Sequence, residues 1–185
     1  ADLNNNFKIK LDKTYKIKKY DYKIKGKIDK ISYNFKEKYY NNIISEDVSQ
    51  LSFINAEIKS HLSSKSKKLD ISGKYSLNKS KYLPFNTKNS FSDKSLNLEV
   101  DFDFNKLLNL EIINYEKPDG ILSKIRINLD KQENNITLNN LTYTQGKNSI
   151  LFNGLKIKNN KFISFDKISV NTKKNGQTNN DFLIT

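Results

Sequence analysis

Apolar residues recur with one spacing in three successive segments towards the carboxyl end of the chain. Counted from the first apolar residue of each segment, they fall at offsets zero, two, five and seven. Alternation at every second residue is typical of a β-strand with one buried face, and the slip between the two pairs is what a β-bulge or sharp bend produces. The three sets are Ile136, Leu138, Leu141 and Tyr143, then Ile150, Phe152, Leu155 and Ile157, then Ile163, Phe165, Ile168 and Val170.

The spacing of these sets is the same in both chain directions, so antiparallel neighbours can place their kinks side by side. Turn-forming residues at 145–148 and 159–161 separate the sets, as short connections in a meander require. The pattern predicts an all-β chain: a bent antiparallel β-meander in a repeat-like extended sheet with few or no helices, whose apolar side either closes against a second sheet or stays open as a groove. We expect these apolar residues to form one continuous face of the sheet.

The rest of the chain predicts further strands of less regular length. Residues 7–35 alternate apolar residues with lysine and predict several short strands, with a bend at Gly26. The set Leu51, Phe53, Ala56, Ile58 repeats the slipped spacing. The cleanest alternation is Leu96, Leu98, Val100, Phe102, Phe104, and residues 107–115 are ambiguous between a strand and a short helix.

Turn signals suggest where strands end. Residues 117–120 read Lys-Pro-Asp-Gly and predict a hairpin into the alternating stretch 125–129. Asn153-Gly154 falls at a slip and predicts a bulge, whereas Asn175-Gly176 predicts a turn. The stretch 78–94, rich in Ser and Asn and containing Pro84, predicts a loop. We therefore expect one β-rich segment over 1–185, with a sub-boundary in loop 78–94 that separates 1–77 from 95–185.

The number and kind of charged residues limit the classes of molecule that the chain is expected to bind. The chain has 33 Lys and Arg against 20 Asp and Glu, a net charge of +13, but Arg126 is its only arginine. Nucleic-acid readers depend on arginine for bidentate contacts, so a basic nucleic-acid-binding barrel rests on net charge alone and we expect no nucleic acid as a partner. Residues 1–40 hold 12 lysines against 5 acids, which allows an attraction of this part to anionic lipid head groups or another polyanion.

The sequence contains no combination of residues typical of a catalytic site. It has no cysteine, a single histidine, His61, and six scattered glycines, so it lacks thiolate sites, His-based metal motifs and phosphate-binding loops. Glu99, Asp101 and Asp103 share one strand face but lack the spacing of a calcium loop, and a solvated or lysine-paired face is the simpler interpretation. We expect no enzyme activity, no catalytic residues, no metal and no cofactor.

The chain has no methionine and no apolar run long enough for a membrane span or signal peptide. We expect it to be a piece of a longer protein whose anchor or export signal lies outside it.

The carboxyl-terminal half resembles the AsmA-like family of Gram-negative envelope proteins, in particular its large YhdP- and TamB-type members. The resemblance covers about residues 96–185. It is carried by Lys-Pro-Asp-Gly at 117–120, Ile-Arg-Ile-Asn-Leu at 125–129, the strand 136–143, the glycine-containing strand 150–157 and the segment 162–168.

The resemblance implies a function. Such proteins have an inner-membrane anchor and a long periplasmic β-sheet curled into a groove that moves phospholipid between the membranes. It implies that the twelve apolar residues at the repeated offsets line a lipid-binding groove, with acyl chains, neighbouring repeats of the same chain and the inner membrane as partners and the periplasm as location. The alternative from the residues is a structural or adhesive β-sandwich domain of a cell-envelope or surface protein, with the apolar face covered by its own second sheet.

Overall fold

The chain is almost entirely β-structure. A computed structural model describes residues 2–40, 43–44, 46–174 and 176–185, with the Tyr39 side chain outside the description. Strand accounts for 76% of the residues that the structure describes, and one turn of 3₁₀ helix spans Glu111–Ile113. The all-β prediction is confirmed. The strands are β1 (Asp2–Leu11), β2 (Ile17–Tyr39), β3 (Val48–Ser63), β4 (Lys67–Leu77), β5 (Leu83–Phe91), β6 (Ser95–Phe104), β7 (Leu108–Leu110), β8 (Tyr115–Lys117), β9 (Ser123–Gln132), β10 (Asn135–Gln145), β11 (Asn148–Lys158), β12 (Lys161–Ser164), β13 (Lys167–Lys174) and β14 (Gln177–Ile184).

Twelve of these strands form one open antiparallel sheet. Its order follows the chain, β1-β2-β3-β4-β5-β6-β9-β10-β11-β13-β14, with β12 beside β11, and the sheet does not close into a barrel. At about 4.8 Å per strand the sheet is roughly 50 Å long across its strands. β7 and β8 leave the sheet and pair with each other.

The strand register places apolar residues opposite apolar residues over many strands. Val100 pairs with Ile127, Ile127 with Leu141, and Leu141 with Phe152. Directly opposed residues in antiparallel strands point to the same side of the sheet, so each such series is a row on one face. The sheet therefore has an apolar face and a polar face from one edge to the other.

The predicted kinks lie where the spacing slips. In β10 and β11 the pairing skips Asn139 and Gly154 together, passing from Leu138 opposite Leu155 to Asn140 opposite Asn153. Gly154 adopts a φ of 65°, which a residue with a side chain rarely tolerates. A third slip, between Ile54 and Glu57, places Asn55 at a φ of 50°. The slips keep both apolar pairs of each strand on the same face.

Several local predictions are wrong. Residues 17–39 form one long strand, because Gly26 stays paired with Leu3 and Ile58 on its two sides. Loop 78–94 contains β5, which is paired with β4 and β6, so a boundary there would cut the sheet. The hairpin from 117–120 into 125–129 does not form, because β8 pairs with β7 and β9 pairs with β6.

The other turn predictions have mixed outcomes. Short turns at 146–147 and 159–160 connect their strands as predicted. The third slipped set is interrupted between β12 and β13 rather than bent. Gly176 lies in a turn between β13 and β14 with a φ of 80°, while the other half of that predicted turn, Asn175, lies outside the described residues. The ambiguous stretch 107–115 contains strand and 3₁₀ helix in succession.

Residues 105–122, which we call the flap, fold over one end of the apolar face. Phe104, Leu108 and Tyr115 join Tyr143, Ile150 and Val170 in the buried core of the molecule. The tip of the flap is held by Asn180, whose amide donates to the carbonyl of Ile113 at 2.7 Å, and its base by the amide of Gly120, which donates to the carbonyl of Asn105 at 2.7 Å. The flap therefore crosses the sheet from β6 to β14.

Candidate functional site

Four parallel rows of side chains make up the apolar face between β6 and β13. The first row lies under the flap, and each further row lies closer to the opposite end of the strands, which we call the hairpin end. The first row is Phe102, Ile125, Tyr143, Ile150, Val170; the second is Val100, Ile127, Leu141, Phe152, Ile168; the third is Leu98, Leu129, Leu138, Leu155; the fourth is Leu96, Lys131, Ile136, Ile157, Phe162.

Ten of the twelve predicted groove residues lie in these rows. The two that do not are Ile163 and Phe165. Ile163 lies in a bulge of β12, and Phe162 takes the position opposite Ile157 instead. Phe165 lies between β12 and β13, with its ring 6.1 Å from that of Phe162. The third set departs from the pattern because its strand is broken where the other two are only bent.

The second, third and fourth rows remain partly open to solvent, whereas three residues of the first row are buried beside the flap and its other two, Phe102 and Ile125, are half-buried. Tyr143 and Ile150 are each 3% exposed and Val170 is 2% exposed, but Leu141, Phe152 and Leu155 are only half-buried. The hydroxyls of Tyr115 on the flap and Tyr143 on the sheet lie 2.7 Å apart. Burial, followed by this hydrogen bond, raises the pKa of Tyr143, so the Tyr143 phenol keeps its proton.

Lys117 fixes the base of the flap from inside. Its side chain is completely buried, lies over the ring of Phe104 at 5.5 Å, and donates from Nζ to the carbonyls of Pro118 and Ile121 at 3.0 and 2.8 Å. Desolvation lowers its pKa, opposed by the charge of Asp119. These contacts hold the predicted 117–120 turn in its place, although the turn does not lead into β9.

The rows continue through strands that sequence reasoning did not assign to the site. Val100, Ile127 and Leu129 are half-buried on the same face, as are Ile58 and Ile71 in the amino-terminal half. The strict alternation of apolar residues in β6 and β9 does predict that Val100, Ile127 and Leu129 lie on a buried strand face. Only the strand register shows that this face is the one that carries Leu141 and Phe152.

The polar face carries paired charges. Asp101 accepts hydrogen bonds from Arg126 Nε at 2.8 Å and lies 3.1 Å from Lys124 Nζ. Desolvation, the largest single influence, raises the pKa of Asp101, but the hydrogen bonds and charges of Arg126 and Lys124 together hold it below the ordinary value. Asp101 is thus paired across strands and Glu99 is exposed to solvent, in keeping with the solvated or lysine-paired interpretation of this strand face.

His61 makes a structural contact. Its Nε2 lies 2.9 Å from Asp21 Oδ2 on the neighbouring strand. Hydrogen bonding with His61 is the main reason why the pKa of Asp21 is lowered. Within the described ranges, no three His, Cys, Asp or Glu side chains stand close enough together to hold a metal ion.

Comparison with family models, with curated proteins and with solved structures finds no match to this chain. In the part of the chain that the structure describes, no helix has the length and apolar character needed to cross a membrane. The candidate site therefore rests on its own geometry: an apolar sheet face, sealed by the flap at one end and open over its remaining rows.

Proposed function

We propose that this chain is a non-enzymatic segment of a periplasmic lipid-conduit protein. In this proposal the apolar face shields phospholipid acyl chains during transport between the inner and outer membranes. The observation that carries the proposal is the single-layer sheet with a continuous apolar face. The resemblance of residues 96–185 to AsmA-like envelope proteins supports the same function.

The exposed area of the molecule supports the proposal. The chain exposes 12769 Å². A compact globular protein of 21.5 kDa exposes about 9,200 Å². The half-buried apolar rows contribute to this exposed area, and each Å² of apolar surface on them gains about 25 cal/mol when acyl chains cover it. Such contacts have no preferred direction along the rows, so a covering acyl chain slides without breaking specific bonds.

The two edges of the sheet are suited to a longer conduit. β1 and β14 each pair on one side within the described sheet, and their apolar-face residues Phe7 and Ile184 are largely exposed. Unpaired strand edges accept further strands through main-chain hydrogen bonds. Neighbouring repeats of the same parent chain would extend the rows at both edges, and an anchor outside this segment would attach the parent to the inner membrane.

The second candidate is a structural or adhesive domain. The observation that favours it is the flap, because it shows that protein can cover the first row of the apolar face. A partner sheet laid on the remaining rows would complete a sandwich. The two candidates differ in what covers Leu141 and Phe152: acyl chains in the first, protein in the second.

Neighbouring residues on opposite faces give a matched test. Leu141 lies on the apolar face and Thr142 on the polar face, and both are half-buried. We expect native mass spectrometry to find phospholipid on the purified chain and on Thr142→Lys, and to find at least tenfold less on Leu141→Lys. Val100→Ser guards against misfolding of the lysine variant and is expected to lose lipid partially with an unchanged circular dichroism spectrum. Lipid absent from the wild-type chain, or equal on both lysine variants, would contradict the proposal.

A further inference from the structure

The two ends of the strands differ in charge. At the hairpin end, the segments 10–19, 64–68, 92–95, 131–135 and 158–161 contain twelve lysines and three acids. At the flap end, seven lysines and five acids lie in the described residues 40, 43–44, 46–47, 78–82, 105–122, 145–148, 173–174 and 176–177. Most of the net charge of +13 therefore lies along one border of the sheet. A border of this sign attracts an anionic surface.

The turn between β1 and β2, at one corner of this border, is ordered by hydrogen bonds to one carboxylate. Asp12 Oδ1 accepts hydrogen bonds from the amide and hydroxyl of Thr14, both at 2.7 Å, and from the amide of Lys16 at 3.0 Å. The hydroxyl hydrogen bond, followed by those from the two amides, lowers the pKa of Asp12. The one carboxylate of the turn is thus used within the turn, and it orders the backbone around Tyr15.

Tyr15 is held in an unusual position. Its φ is 60°, in the left-handed region that favours glycine, and its side chain is 85% exposed. An aromatic residue in this conformation costs folding free energy without gaining burial, and such outliers point to function. Leu11 and Ile17 beside it are also exposed, at 47% and 63%. The turn therefore presents three apolar side chains to the outside.

Like charges face each other next to the turn. Lys10 pairs directly with Lys19 across β1 and β2, an arrangement that destabilises a sheet. With Lys8 and Lys65 they border a depression of about 300 Å³, which Ile9, Tyr20, Asp21, Ser63 and Ser64 also line. A bound phosphate group would relieve the repulsion between the two lysines.

We propose that the hairpin end docks on a lipid bilayer with anionic phospholipid head groups, with the β1–β2 turn as its leading contact. In the docked state the lysines contact phosphates, while Tyr15, Leu11 and Ile17 enter the interface between head groups and acyl chains. The exposed apolar residues favour a bilayer over a soluble polyanion, which would contact lysines alone. Tyrosine, with an apolar ring and polar hydroxyl, is suited to this depth.

Docking in this way orients the whole sheet. Lys67 and Lys131 stand at the hairpin end in line with apolar-face residues, paired opposite Phe91 and Leu96 respectively. The ammonium group of Lys67 lies 2.7 Å from Asp93 Oδ1 at the same end of the sheet. In the docked state the stems of both lysines would cover apolar surface while their ammonium groups reach the head groups, as snorkelling lysines do at a membrane interface. Because the β1–β2 turn is the leading contact, the β1 end of the open rows lies nearest the bilayer and the flap lies farther from it. The inference concerns the docking partner and does not depend on acyl chains occupying the rows.

The absence of tryptophan from the sequence allows a clean reporter. Tyr15→Trp places one tryptophan at the leading contact, and Ile112→Trp places one at the flap tip, where the native residue is 96% exposed. With vesicles of phosphatidylcholine containing about 30% phosphatidylglycerol, we expect the emission of Tyr15→Trp to shift to shorter wavelength and that of Ile112→Trp to stay unchanged. With pure phosphatidylcholine vesicles we expect a much smaller shift. Unchanged emission of Tyr15→Trp, or equal shifts for both variants, would overturn the proposal.

Charge-neutral variants test the lysines separately, by co-sedimentation with the same vesicles. Each lysine near an anionic surface contributes about fivefold to binding, so Lys10, Lys13, Lys16 and Lys18 changed together to Gln should weaken it by two orders of magnitude or more. Lys79, Lys81, Lys147 and Lys173 changed to Gln at the flap end should have little effect. Equal losses in both variants, or polyphosphate binding as tight as vesicle binding, would show non-specific charge attraction and refute the docking surface. Loss of lipid from the rows alone would leave vesicle docking unchanged.

Discussion

At the scale of single residues, the two faces of the sheet are stabilised by different interactions. The apolar face depends on rows of half-buried side chains, and the polar face depends on short polar contacts between neighbouring strands. Asn97 and Asn139 both donate to the carboxylate of Asp130, at 2.6 and 2.7 Å, and the Asn139 hydrogen bond is the main reason why the pKa of Asp130 is lowered. Asn139 is also the residue at the kink, so the slipped position has a polar role of its own.

Asp101 gives a pH-dependent prediction. Its folded-state pKa lies below the ordinary value of 3.8, so its contribution to stability is complete above about pH 4 and is lost as the pH falls through the folded-state value. The carboxylate is about a third exposed, so the pairing with Arg126 and Lys124 contributes only about 0.5–1 kcal/mol. We expect Asp101→Asn to lower the free energy of unfolding by this amount at pH 7 and to flatten its decline below pH 4, measured by urea denaturation.

The matched variant for this prediction is Glu99→Gln, which changes an exposed carboxylate on the same strand face. It should leave the difference between pH 7 and pH 3 closer to that of the wild-type chain. If the free energy of unfolding of Asp101→Asn falls below pH 4 as steeply as that of the wild-type chain, the contact between Asp101 and Arg126 is not formed in solution.

At the scale of elements, the sequence predicts what is local and misses what is not. The slipped spacing identifies β10 and β11 with their kinks, because the pleat and the bulge are recorded in adjacent residues. The pairing of β6 with β9 is not local, because the 18 residues of the flap separate the two strands along the chain. Lys-Pro-Asp-Gly does form a turn, but only the packing of Tyr115 and Lys117 decides which strand follows.

Two further predictions, both drawn from the residue types of a segment, are wrong. The Ser- and Asn-rich stretch 78–94 was expected to be a loop, yet β5 forms because Phe85 and Phe91 fill positions in the apolar rows. Pro84 lies near the start of β5, before its pairing with β6 begins, which is where a strand tolerates proline. In β2, Gly26 was expected to bend the chain, but its lack of a side chain instead allows close approach of Leu3.

The kink in β11 can be tested at Gly154. Its φ of 65° disfavours any side chain, and a Cβ there would overlap the carboxylate of Asp166. Gly146 has a φ of 56° but open space around it. We expect Gly146→Ala to cost about 1 kcal/mol and Gly154→Ala about 1–2 kcal/mol more, in chemical denaturation.

A double variant separates the two causes. Asp166→Gly combined with Gly154→Ala removes the overlap and should bring the cost close to that of Gly146→Ala, as a double-mutant cycle. Equal costs for both single variants would mean that Gly154 is not held at a tight kink beside Asp166.

At the scale of the whole molecule, the chain is a single layer where most domains have two. Its buried hydrophobic cluster lies at the flap end, around Phe104, Tyr143 and Val170. Further buried side chains lie in β3 to β5, at Ala56, Tyr75 and Leu83, and the remaining rows are covered only in part. A layer of this kind gains stability when another surface covers its apolar face. The fold class and ten of the twelve predicted face residues were accessible from periodicity alone, whereas the burial of part of the first row beside residues 105–122 was not.

The central claim is that acyl chains cover the open rows, and site-specific photo-crosslinking in the parent protein in cells tests it most directly. Phe152 and Leu151 are adjacent, half-buried and apolar, but they lie on opposite faces. Leu141 and Thr142 are a second such pair on the neighbouring strand. A benzophenone amino acid at Phe152 or Leu141 is expected to capture phospholipid, and one at Leu151 or Thr142 is not. Protein adducts in place of lipid at Phe152 and Leu141, or lipid adducts on both faces alike, would contradict the account.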